Sequence, residues 1–362
     1  MKRTFIAAAA IAIALSFPLA RAAAQSLSYT SGQPVFPAYE GWEQAADGAK
    51  YFVFGYMNRN WEEEPDVPIG PDNGFSPGNA DVGQPTHFLP RRNRFVFRVR
   101  VPNAFSEKDE LVWTLTTAGR TEKAFGSLRP DYKIDDVVIA SETGALGAGT
   151  SSPTVRSNKA PIVKVDGPKT RTIKVGQPLS LIATVTDDGI PKAITEKELT
   201  DALQARARAA AGQQGSGDSS RGTNSQAPST AAPSTPAPST PASSTPAASA
   251  PAASAPARGF NPRLQPPTRV TVGKNLGLHL SWFVYRGAGH VTFTPSQIKA
   301  WEDTRAGANS PWSPIWFAPP LPADGKVSTE VVFDDPGTYL LRALADDGAL
   351  TAGENITVTV TR

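Results

Sequence analysis

The sequence predicts an all-β protein made of two antiparallel β-sandwich domains, the second interrupted by a long insert. Short runs in which apolar and polar residues alternate recur along the chain, as expected of half-buried antiparallel strands. A tract rich in Ala, Pro, Ser and Thr separates two groups of these runs, and its composition cannot supply a packed core. An acidic Asp-Asp-Gly turn ends an alternating run on each side of that tract, at residues 187–189 and 346–348.

The N-terminus has the features of an export signal. Lys2 and Arg3 precede an apolar stretch, residues 5–17, which is too short to span a bilayer comfortably, and small residues follow before Gln25. We therefore expect residues 1–24 to be a signal peptide and the mature chain to be periplasmic or extracellular. No later run is apolar for long enough to cross a membrane, so the sequence predicts no transmembrane segment.

Charge and cysteine content exclude several classes of function. The chain has 36 Lys and Arg against 33 Asp and Glu, and three of the basic residues lie in the predicted signal peptide, so the mature chain is formally neutral. A basic footprint for nucleic acid is therefore not supported. The absence of Cys excludes disulfides, thiolate metal sites and a thiol nucleophile.

The first domain is predicted to span residues 26–142. Its predicted strands lie at residues 51–57, 94–101, 111–115 and 134–139. The intervening residues 62–90 are dense in Pro, Gly, Asp and Asn and predict a long surface loop. Residues 143–158 are mostly small and polar, and predict a linker.

The second domain is predicted to span residues 159–362, with an insert at 190–268. Seven strands are predicted, at residues 162–175 (broken), 179–185, 278–284, 291–293, 327–333, 339–345 and 356–360. A Trp on the third strand and a Tyr opening the sixth suit a Greek-key sandwich. Within the insert, capping-box spacing of Thr195 and Glu198 predicts a helix over 195–211, and residues 212–258 predict a disordered spacer.

Two stretches of this domain carry a family resemblance. The opening Ala160-Pro161-Ile-Val and the run that ends at Asp187-Asp188-Gly189, together with the closing Pro336-Gly337-Thr338-Tyr339, resemble PKD-like immunoglobulin-fold domains of exported bacterial proteins. The resemblance implies a spacer or binding module and no specific activity. The insert departs from the family pattern, which has a short loop there. The N-terminal half resembles uncharacterised exported bacterial proteins at residues 61–63 and 95–101, which implies no activity.

Motifs for catalysis are lacking in the sequence. There is no phosphate-binding Gly-rich loop, no Gly-x-Ser-x-Gly and no His-Glu-x-x-His. The three histidines, His87, His279 and His290, are predicted to be ordinary surface or rim residues, with His279 on the outward phase of its strand. The sequence therefore predicts no enzyme and no cofactor, although a carboxylate hydrolase needs only two well-placed acids.

Both acidic turns are expected at one end of the sandwich, where the loops after alternate strands emerge. Their aspartates are Asp187, Asp188, Asp346 and Asp347. One hypothesis is a Ca²⁺ site, because Ca²⁺ takes six to eight oxygen ligands. The other is ordinary turn chemistry, because Asp and Gly both tolerate left-handed backbone, and we favour it.

Aromatic residues suggest a binding surface at the same end. The loop over residues 296–325 carries Trp301, Trp312, Trp316 and Phe317. These side chains could stack on a sugar or anchor a protein partner, or they could fold back as a cap on the sandwich, which we favour. In the first domain, the acidic residues around Trp61, with Asp66 and Asp72, predict a solvated loop or a second cation or partner site. Trp113 and Trp282 are predicted to be core.

Taken together, these features predict an exported, non-catalytic structural or interaction module of the bacterial cell envelope or the extracellular space. Its partner would be a protein or a glycan. The alternative is a carbohydrate-binding or polysaccharide-degradation accessory protein. A carboxylate hydrolase is the third hypothesis.

Overall fold

A computed structural model describes residues 31–142, 152–198, 200–201, 204–205, 208, 271–273, 276–301 and 317–362. The predicted signal peptide and the predicted spacer at 212–258 lie outside these residues. Strands predominate, which confirms the all-β prediction. The chain divides into two compact units, the first comprising residues 1–133 and 285–288, the second residues 134–284 and 289–362. Across the described ranges, no helix has both the length and the apolar character needed to cross a bilayer.

The first unit contains two three-stranded antiparallel sheets. Its strands are β1 (Val35–Gln44), β2 (Lys50–Asn58), β3 (Asn73–Ser76), β4 (Arg91–Arg100), β5 (Leu111–Thr117) and β6 (Arg120–Gly126). One sheet has the order β1-β2-β4 and the other β3-β5-β6. A 3₁₀ turn at Pro130–Tyr132 follows the last strand.

Aromatic rings from both sheets form one core. Trp113 is fully buried, as predicted, and stacks on Phe75 with ring centroids 5.7 Å apart. Phe97 meets Trp113 edge to face at 5.2 Å and stacks on Phe54 at 5.7 Å. Such pairs stabilise the fold beyond the area they bury, and here they join the two sheets.

The prediction of a surface loop over residues 62–90 is wrong. This region contains β3, and the apolar side chains of Val67, Phe75 and Phe88 are buried in the core. The buried Asn73 makes this burial tolerable, because its amide donates to the carbonyls of Val67 (2.9 Å) and Pro85 (2.8 Å). Its Oδ1 accepts from Trp113 Nε1 at 3.0 Å. Irregular backbone can be buried only if its polar groups are paired in this way.

The described part of the second unit contains the seven predicted strands, the first of them broken in two, and two further short ones. Its strands are β7 (Ile162–Val165), β8 (Thr170–Lys174), β9 (Leu179–Thr186), β10 (Thr271–Gly273), β11 (His279–Arg286), β12 (Val291–Thr294), β13 (Lys299–Trp301), β14 (Lys326–Phe333), β15 (Gly337–Asp346) and β16 (Thr351–Thr361). The broken strand is β7 and β8, and the two further ones are β10 and β13. The sheet orders are β12-β14-β9-β7 and β11-β15-β16-β8, with β10 and β13 as a separate parallel pair.

These orders are the strand arrangement of immunoglobulin-type Greek-key sandwiches. Trp282 on β11 is buried in the core, as predicted. Tyr339, near the start of β15, donates its hydroxyl to the carbonyl of Asp335 at 3.0 Å, which is the tyrosine corner of such folds. β14 pairs with β9 across the insert, with Val331 opposite Leu179.

Local structure differs from prediction at three places. Residues 134–139 were predicted as a strand, but α1 (Asp136–Ser141) forms there because the Asp135 carboxylate caps it by accepting from Val138 N at 2.9 Å. Within the predicted linker, α2 (Pro153–Arg156) is capped by Ser152. His279 is buried, not outward-facing, and its Nδ1 lies 3.3 Å from the carbonyl oxygen of Gly277.

The insert begins with helical structure. Residues 196–198, 200–201, 204–205 and 208 are helical. The predicted capping box is present, because the Thr195 backbone N–H donates to the Glu198 carboxylate at 2.8 Å and Glu198 N donates to the Thr195 hydroxyl at 3.2 Å.

Replacing Asn73 with Ala should destabilise the first unit strongly. The change leaves two buried carbonyls and the Trp113 indole N–H without their partner, each at about 1–3 kcal/mol, so we expect a loss of roughly 3 kcal/mol or more in unfolding free energy. Urea unfolding of the full chain followed by Trp fluorescence measures this loss. Asn103→Ala, at an exposed position in the same unit, is the matched control and should change stability by less than about 0.5 kcal/mol. Equal effects of the two substitutions would contradict the role given to Asn73.

Candidate functional site

The two acidic turns lie at the same end of the second unit. Two consecutive residues contact one turn each. Asn158 Nδ2 donates to Asp347 Oδ2 at 3.1 Å, and the backbone N–H of Lys159 donates to Asp188 Oδ2 at 3.1 Å. The backbone N–H of Gly277 donates to the carbonyl of Asp347 at 3.0 Å. Ile190 and Gly277, which lie at the start of the insert and a few residues after its end, are therefore close to these turns.

The aspartate side chains bind the backbone of their own turns. Asp187 and Asp188 accept from the N–H groups two residues ahead, each at 2.9 Å. Asp346 accepts from Gly348 N at 2.8 Å, and Asp347 Oδ1 accepts from the N–H groups of Ala349 and Leu350 at 2.6 and 2.7 Å. This is the turn chemistry that we favoured. Among the described residues, no group of three or more His, Cys, Asp or Glu side chains is arranged to hold a metal ion.

Burial makes this end of the unit electrostatically unfavourable for negative charge. Desolvation raises the pKa of Asp347 to about 6, although its hydrogen bonds from Leu350, Ala349 and Asn158 act in the opposite direction. Desolvation also raises the pKa of Asp187. For a carboxyl with a raised pKa, the stabilising contribution is complete below its ordinary value and is lost as the pH rises through the folded-state value. Ionisation of Asp347 therefore lowers the free energy of unfolding.

The predicted aromatic surface is only partly described. Trp301 lies in β13, and Phe317 is half-buried. Trp312 and Trp316 lie outside the described residues, so the grouping of these four aromatic residues stays a prediction.

His87 is not a surface residue, contrary to the prediction. Its side chain is 13% exposed, and its two ring nitrogens lie 2.8 Å from carboxylate oxygens of Asp66 and Glu64. Desolvation alone would lower the pKa of His87, but the hydrogen bonds and charges of the two carboxylates outweigh it and raise the pKa to about 9. The ring is therefore an imidazolium ion at neutral pH, with both N–H groups committed to the fold. The acidic loop is thus partly built into a half-buried ion cluster of His87, Glu64 and Asp66.

A different group of residues in the first unit is here called the arginine–aromatic surface: Phe36, Arg59, Trp61, Arg91 and Arg120. Arg59 and Arg120 are exposed, Phe36 and Arg91 are half-buried, and Trp61 lies buried beneath Arg91. The guanidinium carbons of Arg59 and Arg120 each lie 6.0 Å from the Phe36 ring centroid. The Arg91 guanidinium lies over the buried Trp61 ring at 4.1 Å, and its Nη1 donates to the carbonyl of Arg59 at 2.9 Å. Three positive charges therefore converge on two aromatic rings.

Strand pairing brings these residues together from four parts of the chain. Val35 on β1 lies opposite Asn58, the last residue of β2, and Asn58 lies opposite Arg91 on β4. The Val35 backbone N–H also donates to the Thr117 hydroxyl at 2.8 Å, which ties the β5–β6 turn and Arg120 to the same end of the sheet. The surface is therefore carried by a hydrogen-bonded scaffold.

Other arginines near this sheet serve the fold. The carboxylate of Glu40, whose side chain is 3% exposed, lies 2.7 Å from Arg92 and 3.6 Å from Arg94. Gly55 is required beside it, because a Cβ there would collide with Glu40 Oε1 and with the carbonyl of Asn93. Arg98 forms an ion pair with Glu43. Each of these arginines therefore has a carboxylate partner on β1, although Arg92 and Arg94 share Glu40.

Arg59 and Arg120 differ from them. Within the described part of the chain, the Arg59 side chain forms no ion pair or hydrogen bond, and its guanidinium lies near the Phe36 ring. Arg120 is paired with Glu122 at 3.2 Å, but its side chain is 61% exposed. At 6.0 Å a cation–π contact is at the limit of its range, and both arginines are exposed.

The backbone beside this surface is strained. Arg91 has φ 65° and Ala118, in the turn that precedes Arg120, has φ 48°. Left-handed backbone costs roughly 1–2 kcal/mol for a residue with a Cβ, and such residues cluster at functional sites.

Sequence reasoning missed this surface. The high Arg content of β4 is visible in the sequence. Nothing in the local pattern, however, connects Arg59, which directly follows β2, with Arg120, which begins β6. The formal neutrality of the mature chain also concealed a local concentration of positive charge.

Comparison with known proteins identifies no family. No family model matches the chain, and no curated protein matches it. The crystal structure of the S-layer protein rSbsC(31-844) is similar at a TM-score of 0.20 and 7% identity, over 91% of this chain and 28% of that one. At this TM-score the likeness establishes neither a shared fold nor a shared function. This chain would span 28% of the length of that protein.

The His87 ion cluster should make the stability of the first unit depend on pH. The folded-state pKa of His87, about 9, lies above the ordinary histidine value of 6.5, so the contribution is complete below pH 6.5 and is lost as the pH rises through about 9. Relative to His87→Gln, the wild type should lose on the order of 3 kcal/mol of unfolding free energy between pH 6 and pH 10. Urea unfolding at several pH values measures this difference. His290→Gln, at a side chain 73% exposed, is the control and should leave the pH dependence unchanged. Parallel pH profiles for His87→Gln and wild type would contradict the assignment.

Calcium should not stabilise the second unit. The carboxylates of both acidic turns already accept backbone N–H groups, whose positive ends would oppose a cation. We expect the melting temperature of the full chain to stay unchanged in about 5 mM Ca²⁺, a concentration above the Kd of weak extracellular sites. A rise of about 3 °C or more that Asp347→Asn abolishes would revive the calcium hypothesis.

Proposed function

We propose that this chain is an exported, non-catalytic interaction module of the bacterial cell envelope or the extracellular space. In this proposal, the first unit binds another envelope component through the arginine–aromatic surface. The second unit is a PKD-like sandwich that presents a long insert from its acidic end. Export rests on the predicted signal peptide.

Structural roles of the titratable groups support the non-catalytic part of the proposal. Both ring nitrogens of His87 are held by carboxylates, and the four turn aspartates bind backbone N–H groups. His290 is exposed and lies 2.6 Å from an Asp334 oxygen. A general base needs a nitrogen or oxygen that is free to reach a substrate proton, and these groups are committed to structural contacts instead.

The unneutralised charge of Arg59 is the observation that carries the proposal. Arg92, Arg94 and Arg98 of the same sheet have carboxylate partners, whereas Arg59 has none among the described residues. Its guanidinium contributes little to the fold and retains its donors for a partner. Arginine next to an exposed aromatic ring is enriched in recognition surfaces.

Sedimentation with washed, insoluble bacterial cell-envelope fragments tests this function. The mature chain should sediment with the fragments at low salt, because its partner is anionic. Arg59→Ala/Arg120→Ala should lower the bound fraction by roughly fivefold, and moderate salt should do the same through screening.

Arg100→Ala is the matched control. Arg100 is an exposed arginine at the other end of β4, opposite Tyr51, and its loss should leave sedimentation unchanged. A mature chain that stays in the supernatant would contradict the proposed function. Equal losses for Arg100→Ala and the double variant would contradict the assigned surface.

A further inference from the structure

We propose that the arginine–aromatic surface binds an anionic glycan, one that bears carboxylate or sulfate groups on its sugar rings. This inference rests on the proposed function and names the class of partner. The sugar ring would lie on a platform formed by Phe36 and Met57, and its charged groups would meet the guanidinium groups of Arg59 and Arg120.

The platform is half-buried and apolar, and it spans the edge strand β1 and the central strand β2. Phe36 on β1 lies directly opposite Met57 on β2, and Met57 lies opposite Arg92 on β4. The neighbouring Val35, Tyr56 and Asn58 are buried, so alternation places Phe36 and Met57 on the outer face. A phenyl ring and a thioether chain side by side offer the C–H face of a pyranose a matching apolar contact.

The charges stand at the edge of this platform. Arg59 follows β2 two residues after Met57, and Arg120 approaches Phe36 from the β5–β6 turn. Each guanidinium carries five N–H donors in a planar fork, which suits the paired oxygens of a carboxylate or a sulfate. The two forks beside one ring can therefore hold a charged sugar in a defined orientation.

Glycan recognition fits this surface better than peptide recognition. An acidic peptide gains much of its affinity by pairing with a free strand edge. Met57 lies on β2, the central strand of the β1-β2-β4 sheet, whose backbone is paired on both sides. Phe36 lies on the edge strand β1, but beside it the Val35 backbone N–H already donates to the Thr117 hydroxyl at 2.8 Å. A peptide would therefore find little free strand edge there and would bind mainly through side chains.

Nucleic acid fits less well because of its charge density. Duplex DNA carries one charge per roughly 1.7 Å of axis and is bound by many cations at once. Here only Arg59 and Arg120 present exposed guanidinium groups beside Phe36. A glycan with one charge per sugar demands less positive charge.

Isothermal titration of the mature chain tests this inference, with polygalacturonate as the carboxylated probe, dextran sulfate as the sulfated probe and dextran as the neutral reference. We expect binding to at least one of the charged probes and none to dextran. Arg59→Ala/Arg120→Ala should weaken that binding by about tenfold or more, and Phe36→Ala by about threefold or more. Arg100→Ala, the matched control, should change it by less than about twofold.

The pattern across probes and variants decides the outcome. Preference for polygalacturonate identifies a carboxylated glycan, and preference for dextran sulfate identifies a sulfated one. Tighter binding to poly-glutamate or to single-stranded DNA than to either glycan would overturn the inference, and so would equal effects of Arg100→Ala and the double variant. If neither glycan binds while envelope fragments still retain the chain until they are treated with protease, the partner is a protein. The inference then fails and the proposed function stands.

Discussion

The pairing of β9 with β14 is the contact on which the second unit depends. These strands come from opposite sides of the insert, yet they pair antiparallel from Lys326–Thr184 to Val331–Leu179. Chain entropy permits this, because the cost of closing a loop grows only with the logarithm of its length, about 0.6 kcal/mol per doubling. Burial of alternating side chains on both strands offsets that cost. Once the two flanks close into one sandwich, the two acidic turns must emerge at the same end.

The first unit depends instead on polar side chains that form hydrogen bonds within it. Asn73 satisfies two loop carbonyls and the Trp113 indole, and His87 links Glu64 to Asp66. These contacts allow a segment rich in Pro and Gly to cover an aromatic core, since each buried polar group has a partner. Two of the carboxylates that suggested an exposed binding loop, those of Glu64 and Asp66, therefore form structural contacts with His87. Composition alone cannot distinguish a solvated acidic loop from one that closes over an imidazolium ion.

Arginine is used in two distinct ways in the first unit. Arg92, Arg94 and Arg98 each pair with a carboxylate of β1, Arg92 and Arg94 with the same Glu40, and so brace the outer face of the sheet. Arg59 and Arg120 instead lie beside Phe36 and are exposed. Net charge does not report this difference, because it sums over the chain while recognition depends on the local field. A neutral protein can therefore carry a surface that selects an anion.

The sequence by itself determined the strands of the second unit, the capping box at Thr195 and Glu198, and the turn role of the acidic pairs. These features depend on neighbours within a few residues, through side-chain alternation or hydrogen bonds inside one turn. Tertiary structure alone decided the burial of His87 and Asn73, the helix after Asp135 in place of a strand, and the grouping of Arg59 with Arg120. The burial of His87 and Asn73 and the grouping of the two arginines depend on partners far along the chain. The helix after Asp135 depends on competition between a local cap and sheet pairing. The residue pattern along a single strand contains no information about distant partners or about this competition.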